Sequence, residues 1–220
     1  RHSKVEVVPN GVNTSLFRPI SQKAARQAVG LDEQDRIACF VGSIYQITPW
    51  AGMNDLIASA PRVLNKISRA KFLIIGNGPL RDYWRSTVQK LNLQEAFIFA
   101  GKIPYSQVPM YVNASDICVV AFRRTVNEER GLSPLKLYEC LACGKPIVGS
   151  DIAGIGDILK SHDAGIAVPP EDPKALGDAI VSLLTNEEAR IRMGNNARKV
   201  AVAEFSWKNA AHKISLVCAK

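Results

Sequence analysis

Apolar and polar positions follow two rhythms along this chain, and the rhythms take turns. Short, β-rich apolar runs stand at 36–42 (RIACFVG), 71–76 (KFLIIG), 96–100 (AFIFA), 117–121 (ICVVA), 145–150 (KPIVGS) and 164–168 (AGIAV). Between most of them apolar residues recur at three- and four-residue steps. Over 53–67 these are Leu56, Ile57, Ala60, Val63, Leu64 and Ile67, which share one helical face. The same reading predicts helices over 79–91, 106–114, 134–143, 154–160, 173–185, 187–203 and 207–218. Strands that are apolar almost throughout, separated by helices, belong in a parallel sheet covered on both faces. The predicted architecture is α/β, a Rossmann-like doubly wound parallel sheet.

Residues 1–35 stand outside that repeat. VEVVPNGVNTSLFRP reads as a short strand and a turn, with Pro9-Asn10-Gly11 supplying a positive φ, and 22–31 as a short helix closing at Gly30. The expected organisation is a connector over 1–20, the α/β domain over 21–205, and a last helix over 206–220. The abrupt start, without Met and in mid-strand, is what a fragment shows. No apolar run reaches the ~18–20 residues of a membrane span.

Charge and cysteine content narrow the chemistry. The net charge of +8 favours anionic partners. The basic residues are scattered and not interleaved with aromatics, so nucleic acid is not expected. Five cysteines, an odd number, argue against a disulfide framework and for a reducing cytosol. Cys39 and Cys118 lie in strand-like runs and read as core. Cys140 and Cys143 form a C-x-x-C with no second pair or histidine cluster beside it, so metal and redox chemistry are disfavoured.

Ligands of open parallel sheets bind beyond the carboxyl ends of the strands. The first five apolar runs lead into Gly42-Ser43, Gly76-Asn77-Gly78-Pro79, Gly101-Lys102, Ala121-Phe122-Arg123-Arg124 and Gly149-Ser150-Asp151. Glycines therefore collect on one rim, where backbone can approach a ligand closely. The segment GLSPLKLYECLACGKP, 131–146, is the strongest element. Ser133 suits an N-cap, Pro134 the first helical position, and Gly144 the residue after the helix. The first amides of that helix, those of Leu135 and Lys136, lack intrahelical acceptors and form an anion site with the helix dipole, to which the Lys136 side chain adds a charge. Glu139 shares their face and is placed to accept hydrogen bonds from a ribose diol. A P-loop, a dinucleotide fingerprint, H-E-x-x-H, D-x-D and G-x-S-x-G are all missing, so no metal is expected, and His2, His162 and His212 are isolated.

VVPNGVNTSLFRP, FVGS, FLIIGNGP, FAGKIPYSQVPMYVNASDICVVAF, GLSPLKLYECLACGKPIVGSDIAG and FSW, in this order, resemble the C-terminal domain of retaining glycosyltransferase family 4, of GT-B fold. The resemblance runs through almost the whole chain. It implies a donor-binding half whose acceptor-binding N-terminal domain lies elsewhere in the protein, with the last helix packing toward that domain. The implied reaction is metal-independent transfer of a hexosyl unit, with retention, from a UDP- or GDP-sugar to a hydroxyl of a lipid-linked or glycan acceptor. The implied setting is cytoplasmic, extending to the inner face of the membrane. Lys136 and Glu139 carry the catalytic role, with Leu135 and Lys136 on the diphosphate and Glu139 on the ribose. Lys102 and Ile103 flank the base, and Gly42, Ser43, Gly76, Gly78, Gly131 and Ser133 complete the donor site.

The chain departs from the family pattern at three places. Gly131 stands for a glutamate that contacts the donor sugar, Ser43 for an arginine and Ala51 for a lysine. Glu128, Glu129, Arg123 and Arg124 are candidates to replace them, and a subgroup with S-P-L-K and P-W-x-G patterns resembles this chain better. Two rival readings stay open: a nucleotide-sugar epimerase on the same fold, and a non-catalytic nucleotide-sugar-binding module.

Overall fold

A computed structural model describes residues 6–42, 52–124 and 132–218. In chain order the elements are α1 (Gln22–Val29), β1 (Arg36–Val41), α2 (Met53–Leu64), β2 (Ala70–Ile75), α3 (Arg81–Lys90), β3 (Phe97–Gly101), α4 (Val108–Ala114), β4 (Ile117–Val120), α5 (Leu135–Ala142), β5 (Ile147–Ser150), α6 (Gly156–Ser161), β6 (Gly165–Val168), α7 (Pro173–Thr185), α8 (Glu187–Ala203) and α9 (Trp207–Cys218). A 3₁₀ turn, Tyr105–Gln107, leads into α4. The strands form one parallel sheet in the order β3-β2-β1-β4-β5-β6. This is the doubly wound arrangement expected from the sequence, with the order reversing between β1 and β4.

Successive side chains of a strand point to opposite faces, and here both faces are buried. Ala38, Phe40, Phe72, Ile74, Ile117 and Val119 join one core with residues of α2, α3 and α7. Ile37, Cys39, Leu73, Ile75, Cys118 and Val120 join the other with residues of α4, α5 and α8. All five cysteines are free, four of them buried, and Cys39 Sγ lies 3.4 Å from Cys118 Sγ across the β1–β4 ladder. Among the described residues no group of acidic, histidine or cysteine side chains is arranged to hold a metal.

Polar side chains lock the end of the sheet where the strands begin. Arg26 donates to Asp116 at 2.9 Å with both side chains about 5% exposed or less, and the same carboxylate accepts the Ile37 amide at 2.6 Å. Lys145 Nζ donates to the carbonyls of Asn113 and Ser115 at 2.9 and 2.7 Å, closing the end of α4. Arg190 does the same for α7, donating to Leu183 and Leu184 at 2.8 Å.

The N-terminal segment departs from the expectation in two ways. No strand forms over 6–11; pairing is confined to one bridge, Val12 with Ser206, because the partner chain turns into α9 at the next residue. Nor does Gly11 take a positive φ. It is required for close approach instead, since a Cβ there would sit 2.7 Å from Trp207 backbone atoms. Val12 donates to Phe205 at 2.7 Å and accepts from Trp207 at 3.3 Å, so the segment is tied to the start of α9. Of α9 itself only Ala210 is buried, while Trp207, Ile214 and Leu216 are about half exposed.

Candidate functional site

The rim where the strands end is built from backbone. The β1–β2 and β2–β3 ladders each run one residue further onto a glycine, with Gly42 donating to Ile75 at 2.9 Å and Gly76 to Gly101 at 3.0 Å. Gly76 has φ 147°, and a Cβ there would lie 1.8 Å from the Gly42 carbonyl oxygen, so no other residue fits. Above this floor opens a cleft of about 730 Å³. It is lined by Gly42, Gly76, Asn77, Gly78 and Pro79 on one side, by Lys102, Ile103, Tyr105 and Val108 on the other, and by Glu139. Six predicted site residues thus share one cavity: Gly42, Gly76, Gly78, Lys102, Ile103 and Glu139.

Helix α5 supplies the polar end. Its C-terminus is as expected: Gly144 takes φ 68°, Gly144 N–H donates to Leu141 at 2.9 Å and Lys145 N–H to Cys140 at 3.2 Å. The N-terminus is not. Pro134 occupies the cap position with an extended ψ of 126° and no side-chain cap is made. The expected cap, Ser133, is engaged elsewhere: its hydroxyl accepts the Asn10 amide at 2.9 Å and bonds the Tyr138 hydroxyl at 2.9 Å. The Asn10 side chain also donates to the Ser133 carbonyl at 2.8 Å. A tertiary contact has taken the hydroxyl that local preference assigned to the helix, leaving the Leu135 and Lys136 amides uncapped. Ser133 and Leu135 do not line the cleft, and the Leu135 side chain is exposed.

Lys136 stands over the reversal between β1 and β4. Its Nζ is 4.4 Å from the centre of the Phe40 ring and 4.5 Å from that of Phe122, and it would touch a Cβ at Gly42 at 3.3 Å. Gly42, a lining residue of the cleft, thus lies directly beside the ammonium. Burial among apolar groups lowers the Lys136 pKa to about 8, while the ring faces hold the cation electrostatically. Glu139 is buried, at 7% exposure, and burial raises its carboxyl above the usual range, with the neighbouring Tyr105 acting in the opposite sense. Tyr105 is pushed up to about 12, by burial and then by the neighbouring Glu139. Tyr105 is the polar wall residue that sequence reasoning missed, because nothing local to residue 105 announces that it shares a cleft with Glu139.

Ser43 and Gly131 lie outside the described residues, as do Ala51, Glu128 and Glu129. Arg123, a candidate replacement cation, is engaged with Glu171 at 2.6 Å, and that pairing holds Glu171 below the usual carboxylate range.

Residues 21–200 match the family described as Glycosyl transferases group 1. The chain belongs to that family. An uncharacterized glycosyltransferase of Methanocaldococcus jannaschii is 28% identical over 212 residues, covering 94% of this chain and 52% of the relative. The D-inositol 3-phosphate glycosyltransferase of Segniliparus rotundus is 28% identical, with 94% of this chain and 45% of the relative covered. This glycosyltransferase-family chain therefore spans about half the length of the curated relatives it matches. Among solved structures, sucrose-phosphate synthase of Thermosynechococcus elongatus superposes with a TM-score of 0.78 at 25% identity, over 97% of this chain and 52% of that one. Anabaena HepE in complex with UDP and glucose superposes with a TM-score of 0.81 at 18% identity, over 98% of this chain and 56% of that one, a likeness of fold. No helix among the described residues is long and apolar enough to cross a membrane.

Proposed function

We propose that the cleft binds a nucleoside-diphosphate sugar and that this domain is the donor-binding C-terminal half of a retaining, family 4 glycosyltransferase of GT-B fold. One observation carries the reading: the buried carboxylate of Glu139 lines a glycine-floored cleft, and one turn before it stands an uncapped helix start whose lysine ammonium lies beside the rim glycine Gly42. The amides of Leu135 and Lys136 and the Lys136 ammonium take the diphosphate. Glu139 takes the ribose hydroxyls, and the base lies against Lys102 and Ile103. That the Anabaena protein of the same fold was crystallised with UDP and glucose, and that a 22% identical relative is named a GDP-mannose-dependent mannosyltransferase, supports a UDP- or GDP-sugar donor.

In the proposed reaction the bond between the anomeric carbon and the diphosphate oxygen breaks as the acceptor oxygen bonds to the same face of the sugar. The acceptor proton passes to the departing diphosphate. Negative charge grows on that leaving group, and preorganised donors there are worth on the order of 10²–10³ in rate each. The acceptor, a lipid-linked glycan or other glycan hydroxyl, is held by an N-terminal domain of the same protein, toward which the exposed face of α9 turns. The enzyme acts in the cytoplasm, including at the inner face of the membrane, and this domain alone transfers nothing.

Calorimetric titration of the full-length protein tests the reading. UDP or GDP is expected to bind, and Glu139→Ala to abolish most of that binding. No heat with UDP, GDP or ADP overturns it. A non-catalytic binding role is the second reading, favoured by the engagement of Arg123 with Glu171. Donor binding without sugar transfer to any glycan acceptor decides for it.

A further inference from the structure

We infer that Asn10 is a positioning residue for the start of α5: it holds Ser133 out of the helix, so that the amides of Leu135 and Lys136 stay open to a diphosphate. The inference rests on the donor reading above. Two arrangements compete at this helix start. In one, Pro134 is the first helical residue and Ser133 the cap. The Ser133 carbonyl then accepts the Leu137 amide, and its hydroxyl accepts from the second or third helical residue, which are Leu135 and Lys136. In the other, the helix opens one residue later and those two amides are left free. The chain takes the second. Pro134 has ψ 126°, no side-chain cap is made, and Leu137 donates to the Pro134 carbonyl at 3.0 Å. The Pro134 φ of −76° already suits a helix, so rotation about its ψ is what separates the two arrangements.

Asn10 decides between them because it engages both groups that the cap would use. Its side-chain amide donates to the Ser133 carbonyl at 2.8 Å, and its backbone amide to the Ser133 hydroxyl at 2.9 Å. That hydroxyl also bonds the buried Tyr138 at 2.9 Å. The two residues after Asn10 are anchored independently of α5. Gly11 packs on Trp207, and Val12 donates to Phe205 at 2.7 Å and accepts from Trp207 at 3.3 Å. On the other flank, the Leu132 amide donates to Ala153 at 2.8 Å, and Gly154 lies so close to the Leu132 carbonyl that a Cβ would not fit. The entry to α5 is thus fixed from two sides by segments remote in sequence. Asn10 itself is exposed, so shortening its side chain takes nothing from the core.

The test uses full-length protein, with UDP and GDP beside uridine and guanosine, and two variants: Asn10→Ala, and Asn10→Ala combined with Ser133→Ala. Unmodified protein is expected to bind a diphosphate more tightly than its bare nucleoside. Asn10→Ala releases the Ser133 carbonyl to the helix, and the serine cap that follows competes with the ligand for the same amides. Diphosphate affinity should fall roughly fivefold, the worth of a typical cap, with nucleoside affinity unchanged. Adding Ser133→Ala leaves no hydroxyl to compete and should restore the diphosphate affinity, a rescue that a merely structural role for Asn10 does not give. Equal loss for diphosphate and nucleoside, no loss, or a loss that Ser133→Ala leaves in place or deepens overturns the inference. If unmodified protein binds diphosphate no better than nucleoside, the amides hold no diphosphate and the inference fails, while the base and ribose contacts stand. Binding of neither sinks the whole donor reading.

Discussion

The sheet has two ends, and the polar side chains gathered at each are in different states. Where the strands begin, Arg26 meets Asp116, Lys145 meets two helix-terminal carbonyls and Arg190 meets two more. Where the strands end, the ammonium of Lys136 meets two aromatic rings, and Glu139 lines the cleft beside Tyr105. Both lysines have their pKa lowered by burial, yet one closes a helix and the other stands beside the rim glycine Gly42. A buried charge with its hydrogen bonds filled is part of the fold, whereas one left short of partners beside a cavity is ready for a ligand. Burial alone does not separate the two cases; the count of partners does.

Substitutions that cross this divide should separate stability from binding. The largest effect is expected for Arg26→Met, which strands the buried Asp116 carboxylate. Urea denaturation should show a loss of about 3–5 kcal/mol, with nucleotide affinity of the folded protein unchanged. A mild loss would mean that the two ends are alike after all. Lys136→Met is the opposite case. Nucleoside diphosphate affinity should fall roughly 10- to 100-fold, while the denaturation midpoint rises because an unpaired buried charge has gone. Unchanged affinity with a lowered midpoint would assign Lys136 to the fold. The smallest effect is in pH. Lys136 is charged below about 8, so affinity for the diphosphate should be full there and decline several-fold as pH rises through that value. An anion favours the charged form, so binding near pH 8 should take up a proton, visible as a dependence of calorimetric heat on buffer ionisation enthalpy. Lys136→Met should flatten the profile.

Much of this was legible in the sequence. The six strands and the helices between them fall where the apolar rhythm puts them, because strands buried on two faces leave an unmistakable apolar run. The end of α5 was equally readable, since Gly144 obeys a local rule. What sequence reasoning lost was decided at long range. Ser133 looks like a cap until Asn10, 123 residues away, takes its hydroxyl. Val5–Val8 look like a strand, but Val12 finds a partner for one residue only. Lys136 reads as a charge added to the helix-start anion site, and only the fold sets Phe40 and Phe122 under it. Tyr105 carries no signal at all, because the cleft it lines is completed by Glu139 from another helix.

The floor of the cleft carries a consequence for anyone wishing to alter what this protein accepts. Because Gly76 has a positive φ and lies against the Gly42 carbonyl, that position tolerates no other residue. Selectivity has to be written on the flanks, at Asn77, Lys102, Ile103 and Tyr105. A mutagenesis library confined to those four codons should shift ligand preference while retaining folded clones, whereas one that randomises Gly76 should yield mostly insoluble protein.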